Sequence, residues 1–287
     1  MPVVKGPPMK LYSAAALGLL AVAVATPCMA KDWKTVVIGM EGGFAPYNLT
    51  DPSGKIVGFE PDLVMDLCAR IKVQCKIIAQ DWDGMIPGLN AGKFDVIMDG
   101  MSITEQRKKE IDFTAPYVNS PAAFIAAKDS PLAKLHSNGK VFNLTADPKG
   151  GGAALSELRK ALKGMVIGVQ VSTTHATFAD KHLKDIATIK EYKTVDERDL
   201  DLKSGRIDVE LDDYATLAAI LEKPDSKDYA FAGPEFTGGD FGTGAGMGLR
   251  KSDADLTAKF DAALKAAFAD GSVKKYSLKW FKIDTTP

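Results

Sequence analysis

After residue 30 the chain alternates twice between short apolar runs of strand length and stretches of helical period, and this alternation narrows its fold more than any other feature. Residues 35–38 read as a strand. Residues 59–71 carry Leu63, Val64, Leu67, Cys68 and Ile71 at helical spacing. Residues 75–79 read as a strand, 82–89 as a helical pattern containing Pro87, and 94–98 as another strand. Residues 129–152 interrupt the rhythm with Pro131, Asn138-Gly139, Pro148 and Gly150-Gly151-Gly152, and read as a loop or surface excursion. The alternation then resumes as strand 165–169, helix 172–182 with Ser172 as N-cap, strand 187–192, helix 195–204, strand 207–211, and helix 213–221 ending before Pro224. Helices between successive strands supply the crossovers that parallel pairing needs, so the expected fold is α/β with two mostly parallel sheets.

Two segments read as crossings between the units. Residues 122–128 leave the first, and the Gly-rich 242–250 follow the second, with helices 255–269 and 272–281 returning to the first. The expected lobes are therefore 31–121 with 242–287, and 122–241. Two crossings make a hinge over a cleft.

Residues 1–30 differ in kind. Lys10 precedes an apolar run from Ala14 to Ala25 and then Pro27-Cys28-Met29-Ala30, the pattern of a secretory signal peptide cleaved after Ala30, with Met1 or Met9 as the start. The run is shorter than the roughly 20 residues that span a bilayer. Of the 287 residues, 46% are hydrophobic and 25% charged, enough for a real core, and the formal charge of −1 carries no signature of nucleic-acid binding. Taking Lys5 and Lys10 from the 36 basic residues leaves 34 against 37 acidic, a net of −3 for the exported chain. Its two cysteines, Cys68 and Cys75, are either a small disulfide loop or two buried thiols.

The residues with chemistry gather at the carboxyl ends of the expected strands, where open α/β sheets bind ligands. Ser102, Thr104 and Arg107 follow the strand ending at Met98. Hydroxyls and free helix N–H groups attract an anion, and Arg107 can fork two hydrogen bonds onto a carboxylate; the alternative is a surface cap with a solvated arginine. Gly168-Val169-Gln170-Val171-Ser172-Thr173-Thr174 repeats the strand, turn and helix start in the second unit, and the alternative there is an ordinary N-cap. Asp213 suits an ammonium group or N-cap duty. Glu41 stands beside Gly42 and Gly43, where a ligand can approach the backbone. Phe44 and Trp82 offer faces to a flat or cationic group, or pack in the core. His136, His175 and His182 are scattered, and the last two read as surface-helix histidines, so no metal site is expected. No G-x-S-x-G elbow, phosphate loop or Cys–His pair is present, and no cofactor is expected.

Taken together, Glu41-Gly42-Gly43-Phe44-Ala45-Pro46-Tyr47, Gly58-Phe59-Glu60-Pro61-Asp62-Leu63, Asp83-Gly84-Met85-Ile86-Pro87-Gly88-Leu89, Met101-Ser102-Ile103-Thr104 with Arg107, Ser204-Gly205-Arg206-Ile207-Asp208 and Gly246-Met247-Gly248-Leu249-Arg250 resemble the bacterial periplasmic polar amino-acid-binding proteins of ABC importers. The resemblance runs the length of the exported chain. Gln80-Asp81-Trp82-Asp83-Gly84, residues 132–163 and Gly238-Gly239-Asp240-Phe241-Gly242 look like octopine- and nopaline-binding members. It implies a two-lobed type II periplasmic binding protein, monomeric and periplasmic, that delivers an amino acid or opine to a membrane permease and is not an enzyme. Cys68 and Cys75 stand where basic-amino-acid binders have a disulfide. The implied ligand residues are Arg107, Ser102 and Thr173 (with Ser172) on the α-carboxylate, Asp213 and the Gly100 carbonyl on the α-ammonium, Phe44 and Trp82 along the side chain, and Glu41 at its far end.

Three positions depart from the family's pattern: Asp99 for a small residue, Val171 for Gly, and Asp213 where opine binders have a neutral amide. Glu41 and Asp99 in one cleft repel unless a cation lies between them, which favours a basic amino acid or an opine made from one; the alternative for Asp99 is that it turns away to cap the next helix. The rival readings are a periplasmic dehydratase on the same fold, similar to cyclohexadienyl dehydratase, with Glu41 or Asp99 as acid, and a sensor module that presents ligand to a receptor.

Overall fold

The computed structural model describes residues 1–6, 8 and 31–287. The apolar run of the expected signal peptide and Cys28 lie outside the described residues. The chain divides into Met1–Lys31 and Asp32–Pro287, and both major sheets belong to the second unit. Among the described residues no helix is long and apolar enough to cross a membrane.

The first sheet runs in the order Gln74–Ala79, Thr35–Met40, Val96–Ile97, Gly248–Leu249, Asp112–Phe113. The second runs Thr188–Tyr192, Val166–Gln170, Val209–Asp213, Ala122–Ala127, Glu235–Thr237, Val141–Asn143, with Tyr229–Phe231 also paired to Ala122–Ala127. In each sheet the first three strands pair in parallel, joined by crossover helices such as Phe59–Arg70 and Thr174–His182. The strands that enter from the other sheet, Ala122–Ala127 and Gly248–Leu249, join antiparallel. They arrive from across the cleft, so no crossover helix turns them round. Residues 122–128, expected as the first crossing, hold the second-sheet strand Ala122–Ala127 instead; Val118, just before it, bridges to Ala245 of the Gly-rich crossing. The result is an α/β fold of two sheet-containing lobes.

Each sheet buries its own core. Val36, Ile38, Met40, Leu63, Leu67, Phe260 and Leu264 pack in the first lobe, and Phe124, Ile167, Val169, Phe178, Leu211 and Phe236 in the second. The helical period of 59–71 is why Phe59–Arg70 turns Leu63, Val64, Leu67 and Cys68 inward. Burial of such side chains is worth about 1.5–3 kcal/mol each. Cys68 is bonded to Cys75 on the edge strand beneath.

Three local expectations are corrected. Residues 129–152 are not a plain excursion: they hold the 3-10 turn Pro131–Lys134, the strand Val141–Asn143 and the start of the helix Pro148–Ala161. Asp147 caps that helix by accepting from the Gly150 N–H at 2.9 Å, Pro148 opens it, and Gly151, Ala154 and Leu158 form its buried face. Ser172 is not an N-cap. It sits at φ 60°, and Thr173 caps Thr174–His182 by accepting from the Ala176 N–H at 3.0 Å. The strand expected over 207–211 is Val209–Asp213, so Asp213 ends the strand and itself caps Tyr214–Leu221.

Candidate functional site

The strand Val96–Ile97 runs out into Met98, Asp99 and Gly100 at the mouth of the first lobe. Gly100 has φ +57°, and a Cβ there would lie 2.6 Å from the Phe44 ring, so only glycine lets the backbone pass under that aromatic. Its N–H donates to Glu60 Oε1 at 2.7 Å. Thr104 caps Glu105–Lys108 by accepting from the Arg107 N–H at 3.2 Å. The Arg107 guanidinium folds back over the Trp82 ring, 5.3 Å from its centroid. It donates to the Ser102 carbonyl at 3.0 Å and, across the cleft, to the Ser172 carbonyl at 3.2 Å. No acidic side chain among the described residues pairs with it. Burial lowers its pKa to about 10, which leaves it charged at neutral pH.

Two carboxyls, Glu41 and Asp99, line the cavity with Arg107, and a third, Glu60, shares Asn48 with Asp99. Glu60 is fully buried; it accepts from the Tyr117 hydroxyl and the Gly100 N–H, and from Asn48 Nδ2 at 2.6 Å. Asp99, 2% exposed, accepts on Oδ1 from the Glu41 N–H at 3.2 Å and Asn48 Nδ2 at 2.7 Å, while its buried Oδ2 has no partner. Burial, with Glu60 and Glu41 beside it, pushes the Asp99 pKa well up. Glu41 is raised to about 7, first by burial, and accepts on Oε1 from Gln170 Nε2 of the second lobe at 2.8 Å. Phe44 stacks on Tyr47 with centroids 4.8 Å apart, and the buried Trp82 indole N–H has no acceptor among the described residues.

The second lobe supplies the facing wall. His175 lines the cavity, with its pKa lowered to about 4 by burial, so its ring is neutral at neutral pH. Its Nδ1 lies 3.6 Å from Asp212 Oδ1. Asp212 is held from below by the fully buried Arg198, which also faces Asp199 and Glu210. Asp213 accepts on Oδ1 from the Tyr47 hydroxyl at 3.1 Å, the Ser120 hydroxyl at 2.9 Å and the Ala215 N–H at 2.9 Å, and burial raises its pKa to about 7.

Of the residues singled out from the sequence, Glu41, Phe44, Trp82, Asp99, Gly100, Ser102, Arg107 and Thr173 line one interlobe cavity. Asp213 lines an adjoining one that shares Phe44, Gly100, Ser102, Thr174 and His175 with the first. Ser172 lines the outer groove and offers its carbonyl to Arg107. Asp99 caps no helix; its carboxyl faces Glu41 and Asn48. His175 is not a surface residue: it lies in the first turn of its helix and lines both cavities. Gln170, Thr174 and Asp212 also line the cavity. Gln170 and Thr174 belong to the strand, turn and helix start singled out over 168–174, and Asp212 stands beside Asp213 at a strand end.

Residues 36–283 match the profile of the bacterial extracellular solute-binding proteins, family 3. The chain is 41% identical over 276 residues to the octopine-binding periplasmic protein of Rhizobium meliloti, covering 90% of this chain and 94% of that protein. It is 36% identical over 274 residues to the L-arginine-binding protein of Pseudomonas aeruginosa, covering 94% of this chain and 96% of that protein. A solved structure of an ancestral arginine-binding protein bound to arginine superposes with a TM-score of 0.71 at 30% identity, covering 86% of this chain and 98% of that one. These relatives are binding proteins.

Proposed function

The chain belongs to family 3 of the bacterial extracellular solute-binding proteins, and from that premise we propose that it is the periplasmic, monomeric solute-binding component of an amino-acid ABC importer, taking a basic amino acid. The observation that carries this reading is a charge pattern. A desolvated guanidinium, Arg107, has no acid on it, and the lining of the same cavity holds Glu41 and Asp99 with no cation on either among the described residues. An α-carboxylate at one end and a cationic side chain at the other complete both.

In this reading Arg107, Ser102 and the Thr173 N–H hold the α-carboxylate. Asp213 and the Gly100 carbonyl take the α-ammonium, Phe44 and Trp82 flank the side chain, and Glu41 and Asp99 receive its charge. The lobes are 31–121 with 242–287, and 122–241, in a mature chain beginning near Lys31. They close on ligand, and the closed form docks on the permease; only a ligand that binds the closed state better drives that shift. An opine made from such an amino acid carries a second carboxylate beside its α-nitrogen, where Asp213 would stand, and no Lys or Arg lines that adjoining cavity. This favours a free α-ammonium.

The test is thermal shift of residues 31–287 against the twenty amino acids, ornithine, octopine and nopaline. A ligand at a hundred times its Kd raises the melting temperature by roughly 5–10 °C. A shift confined to basic ligands, larger for arginine than for octopine, supports the reading. No shift, or one only with acidic or apolar ligands, overturns it.

A further inference from the structure

Gln170 ends the strand Val166–Gln170 in the second lobe, is 4% exposed, and lines the cavity. Its Nε2 donates twice: to Glu41 Oε1 of the first lobe at 2.8 Å and to the Lys193 carbonyl of its own lobe at 3.1 Å. Both partners are acceptors, which fixes which amide atom is the nitrogen. The Gln170 carbonyl oxygen receives no hydrogen bond from the described residues, and neither does Glu41 Oε2. With the buried Asp99 Oδ2, unpartnered among the described residues, these are three side-chain oxygens on residues that line one cavity. Lys193 reinforces the arrangement: its carbonyl steadies Gln170 while its ammonium reaches Asp81 of the first lobe at 2.6 Å, one residue from Trp82.

We propose that Gln170 is a specificity-determining residue that couples closure of the lobes to the ligand's cationic end, bridging to Glu41 through its amide N–H and accepting from the ligand on its carbonyl oxygen. The inference rests on the basic-ligand reading above. The chemistry of the amide is what suits it to the task. A neutral donor satisfies one oxygen of Glu41 without cancelling the charge, so the carboxylate still needs a cation. A lysine at that position would supply the cation itself and replace the ligand. A leucine would leave a desolvated carboxylate oxygen without a donor whenever the lobes close. A cation with several N–H groups then meets acceptors from both lobes at once, so recognition of the side chain and closure become one event.

The experiment is calorimetric titration of L-arginine into residues 31–287 carrying no substitution, Gln170→Leu, Glu41→Gln, or both. Gln170→Leu is expected to weaken binding roughly ten- to a hundred-fold, the loss that follows removal of a hydrogen bond to a charged group. In the Glu41→Gln background the same substitution is expected to cost markedly less, because the carboxylate it served is gone. Gln170→Met, unbranched and of similar volume, repeats the measurement if leucine disturbs the fold, which thermal melts report. Unchanged arginine affinity in the folded variant, or losses that simply multiply in the double variant, overturns the proposal while the basic-ligand reading stands. No binding of any basic amino acid by the unsubstituted protein overturns that reading, and this inference with it.

Discussion

Glu41 and Asp213 each titrate near 7 because burial disfavours their charged forms. Their folded values lie above the unfolded ones, so each contributes stability that is fully present below its unfolded value and lost as pH rises through about 7. A ligand bearing two cationic groups needs both as carboxylates. Arginine affinity is therefore expected to rise as pH climbs through 7, with proton release visible as a buffer-dependent heat, and to be at least roughly ten-fold weaker at pH 5.5 than at pH 8. A flat profile would contradict the pairing. His175 has the opposite sign: its depressed value means stability present above its unfolded value and lost as pH falls toward about 4. Arg107→Ala is expected to cost roughly 2–4 kcal/mol of binding, since a carboxylate would be buried without its fork, with Arg107→Lys intermediate; a Kd within three-fold of the unsubstituted protein would remove Arg107 from the site.

At the scale of elements, two pieces of the first lobe set the site's shape. Gly100 lets the strand end pass beneath Phe44, and Gly100→Ala would drive a Cβ into that ring at a positive φ. The expected result is loss of ligand binding with a stability cost of roughly 1–2 kcal/mol, measured by titration and urea melts of the same variant. The Cys68–Cys75 bond ties the helix Phe59–Arg70 to the edge strand across a separation of 7 residues. A loop that short makes the bond worth about 2–3 kcal/mol by the chain-entropy account, so the Cys68→Ala, Cys75→Ala pair should lose that much stability yet still bind. The helix Pro148–Ala161 escaped the sequence reading because three consecutive glycines look like a breaker. The Asp147-Pro148 cap and the spacing of Ala154 and Leu158 were legible there and outweigh them.

For the molecule as a whole, the lobes meet through Gln170 and Glu41, Arg107 and the Ser172 carbonyl, Lys193 and Asp81, and Tyr47 and Asp213. The Lys193–Asp81 pair is exposed, so Lys193→Met should alter arginine affinity by less than about 1 kcal/mol. Tyr47→Phe removes a buried link and is expected to weaken closure. Small-angle scattering should then show a larger radius of gyration at subsaturating arginine than the unsubstituted protein gives, and identical curves would show that this link does not govern closure.

The alternation of periods was enough to determine two α/β lobes, since a sheet of parallel strands requires helices between them and a pattern that restarts requires a second sheet. The strand ends then pointed to Glu41, Ser102, Arg107, Thr173 and Asp213, because that is where open sheets expose their backbone and side chains to a ligand, and the family resemblance added Asp99. What no local pattern could tell was which side chains meet across the cleft. Gln170 stood in a turn read for its hydroxyls and N–H groups, and His175 looked like a surface residue on a helix. Their roles depend on how one lobe is set against the other. Those are distances between residues more than a hundred positions apart, and only tertiary packing decides them.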